Sequence, residues 1–494
     1  MVRRACLCLL SVAIATSASA EDARQLLNKS INAMGGEAAL RGLATLRLKS
    51  LGHEFYIEQS ERPEGPFIVE YHSTVEQRDS AHGRARIEVQ SQTFQSASWD
   101  QVRTIVFDGE AVASTDGSRF APVGWRPADT IQWVDLAPER VLFVALAAPD
   151  LVTAADVERQ GIVQRVIAFG WRNRRVRLLI NSHDDLPTAV EVLRPDEWGV
   201  WGSVTDTLYY SLWTLLPGGI RYPLQFDRTW NGVTLSSTTI VQITPNPTID
   251  AGAFAIPADV RAAFASLPES RATTAKLDVE HRRIDVAAGV VQYGGGWNVE
   301  VVQQSDGLVV IEAPISSDYS SQVLDEIARR YPGATIKAVI TTSDAWPHIG
   351  GIREYVARGI PVYALDLNRG ILERLLAASD PAHPDRLART PKAAQFHWVS
   401  NKTTIGSGDT QVVIYPAGEE NGERMLFVYL PALRLLYTSD EIQQRASGDF
   451  FMPEYLKEVQ DVITREGLAV DRIFSMHARP MPWSAIERAL APFR

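Results

Sequence analysis

The chain has 494 residues, of which 45% are hydrophobic, and a formal net charge of −10 at pH 7. A single hydrophobic core rarely organises a chain of this length, so the length predicts two domains. The acidic balance, together with the lack of any run of Lys or Arg, argues against nucleic acid and anionic lipid as partners.

The first twenty residues predict export. A basic start at Arg3 and Arg4 precedes an apolar run, and Ala18-Ser19-Ala20 is a small-residue cleavage pattern. The apolar run is shorter than a membrane-spanning helix, so this segment is predicted to be a signal peptide, and no other segment predicts a transmembrane helix. Cys6 and Cys8 both lie inside it, so the exported chain is expected to contain no disulfide and no thiolate metal ligand. We predict a periplasmic location.

Residues 21–257 are predicted to form an antiparallel β domain. Apolar residues at helical spacing, broken at Gly35-Gly36, first predict a helix over residues 22–43. Short β-branched and aromatic runs follow, and Asn231-Gly232 between two of them predicts a tight hairpin. The predicted strands are 66–74, 85–89, 103–107, 163–169, 176–180, 189–193, 204–212, 222–230 and 233–243. Consecutive strands without intervening helices indicate an antiparallel meander, curved into a half-barrel or a sandwich.

The beginning and end of this domain resemble exported domains of the bacterial lipoprotein-carrier type. The resemblance rests on the opening Ala33-Met34-Gly35-Gly36 and on the closing stretch from Tyr222-Pro223 to Phe254. It implies an apolar concave sheet around a helix, which in that class holds a lipid-like ligand. The resemblance has no catalytic signature.

After a predicted linker at 258–284, strands and helices alternate over residues 285–494. The predicted strands are 297–303, 308–311, 336–341, 361–365, 411–415, 425–430, 435–437 and 472–474. The predicted helices are 319–330, 349–358, 369–378, 454–466 and 484–491. This order indicates a mixed α/β domain.

Residues 337–365 contain a buried strand, a loop, a helix that opens at Gly350-Gly351, and a second buried strand. The part from Thr342 to Gly351 resembles the metal-binding loop of the metallo-β-lactamase superfamily, which reads Thr-His-x-His-x-Asp-His-x-Gly-Gly and binds one or two zinc or iron ions. The resemblance extends over nearly all of residues 285–494 and implies an αββα sandwich. The four ligand positions of this loop read Ser343, Ala345, Pro347 and His348.

The resemblance places further ligands at three later strand ends. The first position precedes Val428-Tyr429-Leu430-Pro431 and falls on Asn421 or on a neighbour. These neighbours are Glu419, Glu420 and Glu423. The strand 435–437 leads to Asp440, and the strand 472–474 leads to His477 without the glycines that flank the histidine in the family.

The surviving ligands are unevenly divided between the two metal sites that the resemblance implies. The first site keeps only Asp440, whereas the second keeps His348, Asp440 and His477. Two imidazoles and a carboxylate are the ligands of a mononuclear zinc or a facial iron site. The sequence therefore predicts either no metal or one divalent metal, zinc before iron. If a metal binds, Asp440 or Asp344 is the predicted catalytic proton acceptor.

Three functions remain open at this point. The leading hypothesis is an exported protein with a degenerate metal site that binds a small molecule or a partner without catalysis; in it, His348 bonds the backbone and Asp440 caps the segment after its strand. The second is a mononuclear metal-dependent hydrolase that uses His348, Asp440 and His477. The third is a periplasmic carrier of apolar ligands through residues 21–257. The sequence carries no signal for an oligomeric state.

Overall fold

The computed structural model describes residues 22–92, 101–124, 127–196, 200–267, 275–295, 297–378, 380–381, 383–417, 422–444 and 448–493. The predicted signal peptide lies outside these residues. Internal contacts divide the chain into two compact units. The first unit comprises Met1–Phe55, Val69–Arg194 and Val204–Pro268, and the second comprises Tyr56–Ile68, Pro195–Ser203 and Glu269–Arg494. Two short segments from the first half of the sequence thus belong to the second unit.

The first unit is built on one antiparallel sheet of thirteen strands. They are β1 (Thr45–Tyr56), β2 (Ile68–Asp79), β3 (Arg84–Gln92), β4 (Gln101–Phe107), β5 (Val112–Thr115), β6 (Phe120–Pro122), β7 (Val152–Arg159), β8 (Ile162–Trp171), β9 (Arg174–Asn181), β10 (Pro187–Pro195), β11 (Ser203–Leu215), β12 (Arg221–Trp230) and β13 (Val233–Pro245). Their order across the sheet is β6-β5-β4-β3-β2-β1-β13-β12-β11-β10-β9-β8-β7. The predicted hairpin is confirmed, because Asn231 and Gly232 both have positive φ and Trp230 pairs with Val233. A half-barrel or sandwich curvature of the sheet stays a prediction.

Five α-helices are described in the first unit. They span 22–33, Glu37–Arg41, Pro127–Asp135, Pro138–Ala147 and Ala258–Ala265. The first two confirm the predicted helix with a break at Gly35-Gly36, where both glycines have positive φ. The expectation of strands without intervening helices is wrong between β6 and β7. The helix Pro138–Ala147 forms there because proline suits the first helical turn and an alanine- and leucine-rich sequence follows.

The core of the first unit joins the sheet to two of these helices. Leu27 and Ile31 of the helix 22–33 and Val141 and Leu142 of the helix Pro138–Ala147 pack in one buried cluster with strand residues. A carrier would turn such apolar side chains toward a ligand, whereas the side chains of this cluster pack against one another. The carrier hypothesis stays a prediction.

Two sheets form the second unit. The seven-stranded sheet contains β14 (Arg283–Ala287), β15 (Val290–Tyr293), β16 (Val299–Gln304), β17 (Gly307–Ile311), β18 (Ile336–Ile340), β19 (Val362–Leu365) and β20 (Phe396–Val399). The six-stranded sheet contains β21 (Thr403–Ile405), β22 (Val412–Ala417), β23 (Met425–Leu430), β24 (Leu435–Tyr437), β25 (Arg472–Phe474) and β26 (Met481–Pro482). The described helices of this unit are Ser317–Arg330, Trp346–Ile349, Ile352–Arg358, Arg369–Ala377, Arg386–Arg389, Pro453–Arg465 and Trp483–Leu490.

Both sheets contribute to one core, which gives the second unit a layered arrangement. Val309 and Ile340 of the first sheet pack in one buried cluster with Ile414 and Val428 of the second. Alternate residues of β22 and β23 pack with the helices Pro453–Arg465 and Trp483–Leu490 in another cluster, as the two-residue period of a strand requires. The mixed α+β architecture is confirmed and is consistent with the predicted αββα sandwich. Among the helices that the structure describes, none has the length and apolar character needed to cross a membrane.

Candidate metal centre

Three residues that are far apart in the sequence meet in the second unit. One nitrogen of His348, one oxygen of Asp440 and one nitrogen of His477 lie within 4.8 Å of one another. His348 Nε2 is 3.5 Å from Asp440 Oδ2, and His477 Nε2 is 2.8 Å from Asp440 Oδ1. The structure thus brings together the three predicted metal ligands.

His348 is held by a loop that runs from the end of β18 to Gly351. His348 belongs to the short helix Trp346–Ile349, and its backbone N–H donates to the carbonyl of Ala345, which precedes that helix. A Cβ at Gly351 would lie 2.0 Å from Ser320 Oγ, so only glycine permits this close approach. The ring of His348 is 1% exposed, and its Nδ1 has no hydrogen-bond partner among the described residues. A backbone bond from the side chain, which the non-catalytic hypothesis assumed, is therefore not seen.

Asp440 follows β24, and each of its two carboxylate oxygens lies close to one of the two histidines. Its Oδ1 accepts a hydrogen bond of 2.8 Å from Gln443 Nε2, and the side chain is 13% exposed. The preceding Ser439 has a φ of +52° and accepts at its carbonyl from the backbone N–H of Met476. This bond ties the Asp440 turn to the turn that carries His477.

His477 lies in a turn after β25 that a serine stabilises in place of the glycines of the family. Ser475 Oγ accepts from the backbone N–H groups of His477 (3.2 Å) and Ala478 (2.9 Å) and donates to the carbonyl of Ile442 (2.6 Å). The ring of Trp297 meets that of His477 edge-on at a centroid distance of 6.2 Å. The site therefore has an aromatic neighbour beside its most exposed ligand.

The donor set and its spacing fit one tetrahedral metal ion. Bonds of 2.0–2.2 Å at tetrahedral angles place neighbouring ligand atoms about 3.3–3.5 Å apart. His348 Nε2 lies at this spacing from Asp440 Oδ2, and His477 Nε2 contacts the other carboxylate oxygen at 2.8 Å. His348, Asp440 and His477 would hold the metal, which would take the place of the proton in the bond between His477 and Asp440.

Asp344 lies outside this group of three. Its Oδ2 accepts from the backbone N–H groups of Arg424 (3.2 Å) and Ser60 (3.3 Å), and its Oδ1 has no hydrogen-bond partner among the described residues. Burial raises the pKa of Asp344 to about 7, although the Arg424 guanidinium beside it acts in the opposite direction. Asp344 can therefore bind or release a proton near neutral pH.

The predicted ligands of the first metal site lie outside the described residues or are otherwise engaged. Asn421, Glu419 and Glu420 lie outside the described residues. Glu423 is buried, and its Oε1 accepts a 2.5 Å hydrogen bond from Tyr455 Oη. Burial and the charges of Asp440 and Asp344 raise the pKa of Glu423 well above its ordinary value. Ser343 Oγ accepts from the backbone N–H of Ala345 at 3.0 Å.

Sequence reasoning missed Glu312, which lies directly behind the metal-binding loop. It follows β17, is fully buried with a φ of +74°, and accepts hydrogen bonds from the hydroxyls of Thr342 and Tyr437. The Thr342 hydroxyl also lies 2.7 Å from Ser439 Oγ. Glu312 thus supports the loops that lead to His348 and Asp440. A carboxylate at the end of an apolar strand, in Val309-Val310-Ile311-Glu312, was the available signal.

Zinc affinity is expected to fall steeply below neutral pH. Burial lowers the pKa of His348, but the Asp440 carboxylate more than offsets this, so the pKa is raised above its ordinary value. A metal binds only the deprotonated imidazole. The affinity should therefore begin to fall at a higher pH than for an ordinary histidine, by about tenfold per pH unit for one displaced proton. Competition with a chromophoric chelator between pH 5.5 and 8.5 measures this, and a flat profile would contradict it.

Similarity to known proteins is found among solved structures. No family model matches the chain, and no curated protein matches it significantly. Among solved structures, it is similar to a metallo-β-lactamase from Pontibacter korlensis (16% identity, 44% of this chain and 98% of that chain, TM-score 0.34). Two others are the mono-zinc form of the metallo-β-lactamase FIM-1 from Pseudomonas aeruginosa (16% identity, 43% and 95%, TM-score 0.33) and the alkylsulfatase Pisa1 from Pseudomonas sp. (15% identity, 42% and 40%, TM-score 0.32). These structural neighbours are metallo-β-lactamases and an alkylsulfatase, and each match covers 42–44% of this chain.

Proposed function

We propose that this protein is a mononuclear metal-dependent hydrolase with a metallo-β-lactamase-like domain. The convergence of His348, Asp440 and His477 within 4.8 Å carries this proposal. These three side chains would hold one zinc ion, or alternatively iron, because two imidazoles and one carboxylate suit both metals. A second metal is not part of the proposal, since Ala345 and Pro347 offer no ligand atom in their side chains.

The side chains divide the chemical roles between them. A bound metal would lower the pKa of a coordinated water and polarise the bond to be hydrolysed. Burial raises the pKa of Asp440, but His477 and His348 more than offset this and hold the pKa far below its usual range, which suits a carboxylate that acts as a ligand. Asp344 has a pKa of about 7 and one oxygen without a hydrogen-bond partner among the described residues, so it is the better proton acceptor.

Metal analysis with matched histidine variants tests the proposal. We expect the protein, purified without chelator and supplied with zinc, to bind about one equivalent. His348→Ala and His477→Ala should each bind less than about a tenth of an equivalent, since two ligands do not retain zinc. His281→Ala is the control, because His281 is 79% exposed and pairs with Asp278 at the surface. The zinc-loaded protein should hydrolyse at least one of a panel of nitrophenyl esters, phosphodiesters and β-lactams.

The outcomes separate the remaining functions. Less than about a tenth of an equivalent in the wild type would contradict the proposal and favour a binding protein with a degenerate site. One equivalent without hydrolysis on the panel would favour a metal-containing binding protein. We also place the protein in the periplasm, on the strength of the basic and apolar pattern of its first twenty residues; cell fractionation tests that location.

A further inference from the structure

A buried arginine connects three separate segments of the second unit. Arg424 is 2% exposed, and its guanidinium is fully engaged. Nε donates to Asn368 Oδ1 (2.8 Å), Nη1 donates to the carbonyl (3.1 Å) and hydroxyl (2.9 Å) of Ser60, and Nη2 donates to the carbonyl of Glu58 (2.8 Å). Glu58 and Ser60 lie in Tyr56–Ile68, which belongs to the second unit although it comes from the first half of the sequence.

The same arginine fixes Asp344 in the metal-binding loop. The backbone N–H groups of Arg424 and Ser60 both donate to Asp344 Oδ2, and the guanidinium Nη2 lies 3.6 Å from that oxygen. A fully buried carboxylate is costly unless charge and hydrogen bonds compensate it. Arg424 and the segment around Ser60 supply both kinds of compensation.

A second contact fixes the loop on the other side of Ala345. The ring of Trp346 packs edge-on against that of Trp201 at a centroid distance of 6.0 Å. Trp201 lies in Pro195–Ser203, the other first-half segment of the second unit. Arg374 stacks over Trp201 at 4.4 Å and forms an ion pair with Glu58. Two segments remote in sequence thus hold the residues on either side of Ala345.

We propose that Arg424 is a positioning residue for the candidate metal centre. Its hydrogen bonds to Glu58 and Ser60 and its contact with Asp344, together called the clamp, hold the segment Tyr56–Ile68 against Asp344. The clamp so fixes the loop that carries His348 four residues after Asp344. Ser343 and Ala345 stand at family ligand positions but provide no metal ligand that could also fix this loop. The clamp therefore holds the metal-binding loop in place, as metal coordination does at sites where a metal is bound. This inference rests on the proposed function for its effect on metal binding.

Full-length variants with two readouts test the proposal. Arg424→Met removes the clamp, whereas Arg424→Lys keeps a positive charge beside Asp344. Arg434→Met is the control, because Arg434 is 53% exposed and pairs with Asp471 at 2.8 Å. In metal-free protein, Arg424→Met should speed amide hydrogen exchange in residues 342–351 at least about tenfold. In the zinc titration it should raise the Kd at least about tenfold, the usual size of an outer-shell effect. Arg424→Lys should restore part of both losses, and the control should change neither.

The two readouts distinguish failure of this proposal from failure of the proposed function. Wild-type exchange rates in residues 342–351 of folded Arg424→Met protein would overturn the positioning role, and so would an unchanged zinc Kd. If Arg424→Met does not fold, Ser60→Ala removes only one acceptor of the clamp; a smaller change of the same sign supports the proposal, and no change overturns it. If the wild type binds no zinc, the proposed function fails, and the exchange readout alone decides whether Arg424 fixes the loop.

Discussion

Replacing Asp440 by alanine is expected to lower the zinc affinity at least about a hundredfold, because Asp440 is the sole carboxylate among the three ligands that converge. Its loss leaves two imidazoles, and the buried His348 also loses the negative charge that offsets its desolvation. Isothermal titration or chelator competition at pH 7.5 measures the change. Asp471→Ala is the matched control, since Asp471 is 57% exposed and pairs with Arg434 on the surface.

Variants of Asp440 and Asp344 also show which of these two residues is the proton acceptor. If Asp440 serves as a ligand, metal content and hydrolysis should be lost together in Asp440→Ala. Asp344→Asn should keep the metal and lose most of the rate, because the amide cannot take up a proton. Retention of a full zinc equivalent by Asp440→Ala would contradict the assignment of this residue as a ligand.

Replacing Glu139 by alanine is expected to lower the free energy of unfolding of the first unit by about 3–5 kcal/mol. Glu139 is 3% exposed and accepts from Arg78 Nη1 (2.9 and 3.2 Å), Tyr222 Oη (3.0 Å) and Ser80 Oγ (3.0 Å). Its removal leaves the buried Arg78 without its main counter-charge and two hydroxyls without an acceptor.

Urea denaturation followed by far-ultraviolet circular dichroism measures this change. Glu88→Ala is the control, because Glu88 is 51% exposed and its ion pair with Arg86 lies at the surface; we expect a change of less than about 1 kcal/mol there. A loss below about 1 kcal/mol for Glu139→Ala would show that the rest of the network compensates.

Local patterns in the sequence predicted much of the fold and the three converging side chains. The Asn231-Gly232 hairpin follows from the backbone freedom of two adjacent residues. The positions of His348, Asp440 and His477 follow from the resemblance to a known family, which places its ligands in the loop after β18 of one sheet and after β24 and β25 of the other. These features depend on short stretches of sequence, so they can be read directly.

Long-range contacts explain what the sequence did not predict. Ser60 and Asp344 are 284 residues apart, and no periodicity relates the segment around Ser60 to the metal-binding loop. The prediction of Asp344 as a proton acceptor therefore did not include its bonds to Ser60 and Arg424. The helix Ala258–Ala265 lies within the predicted linker, and its Val260 packs in a buried cluster with Val106 and Ala113. An alanine-rich stretch does not reveal such a partner.

Anomalous diffraction at the zinc edge, from crystals of the full-length protein grown with zinc, locates a bound metal directly. We expect one strong peak at bonding distance, about 2.0–2.2 Å, from a nitrogen of His348, an oxygen of Asp440 and a nitrogen of His477. A zinc-loaded crystal with no peak among these three side chains, or with its peak beside Asp344 and Glu423 instead, would contradict it.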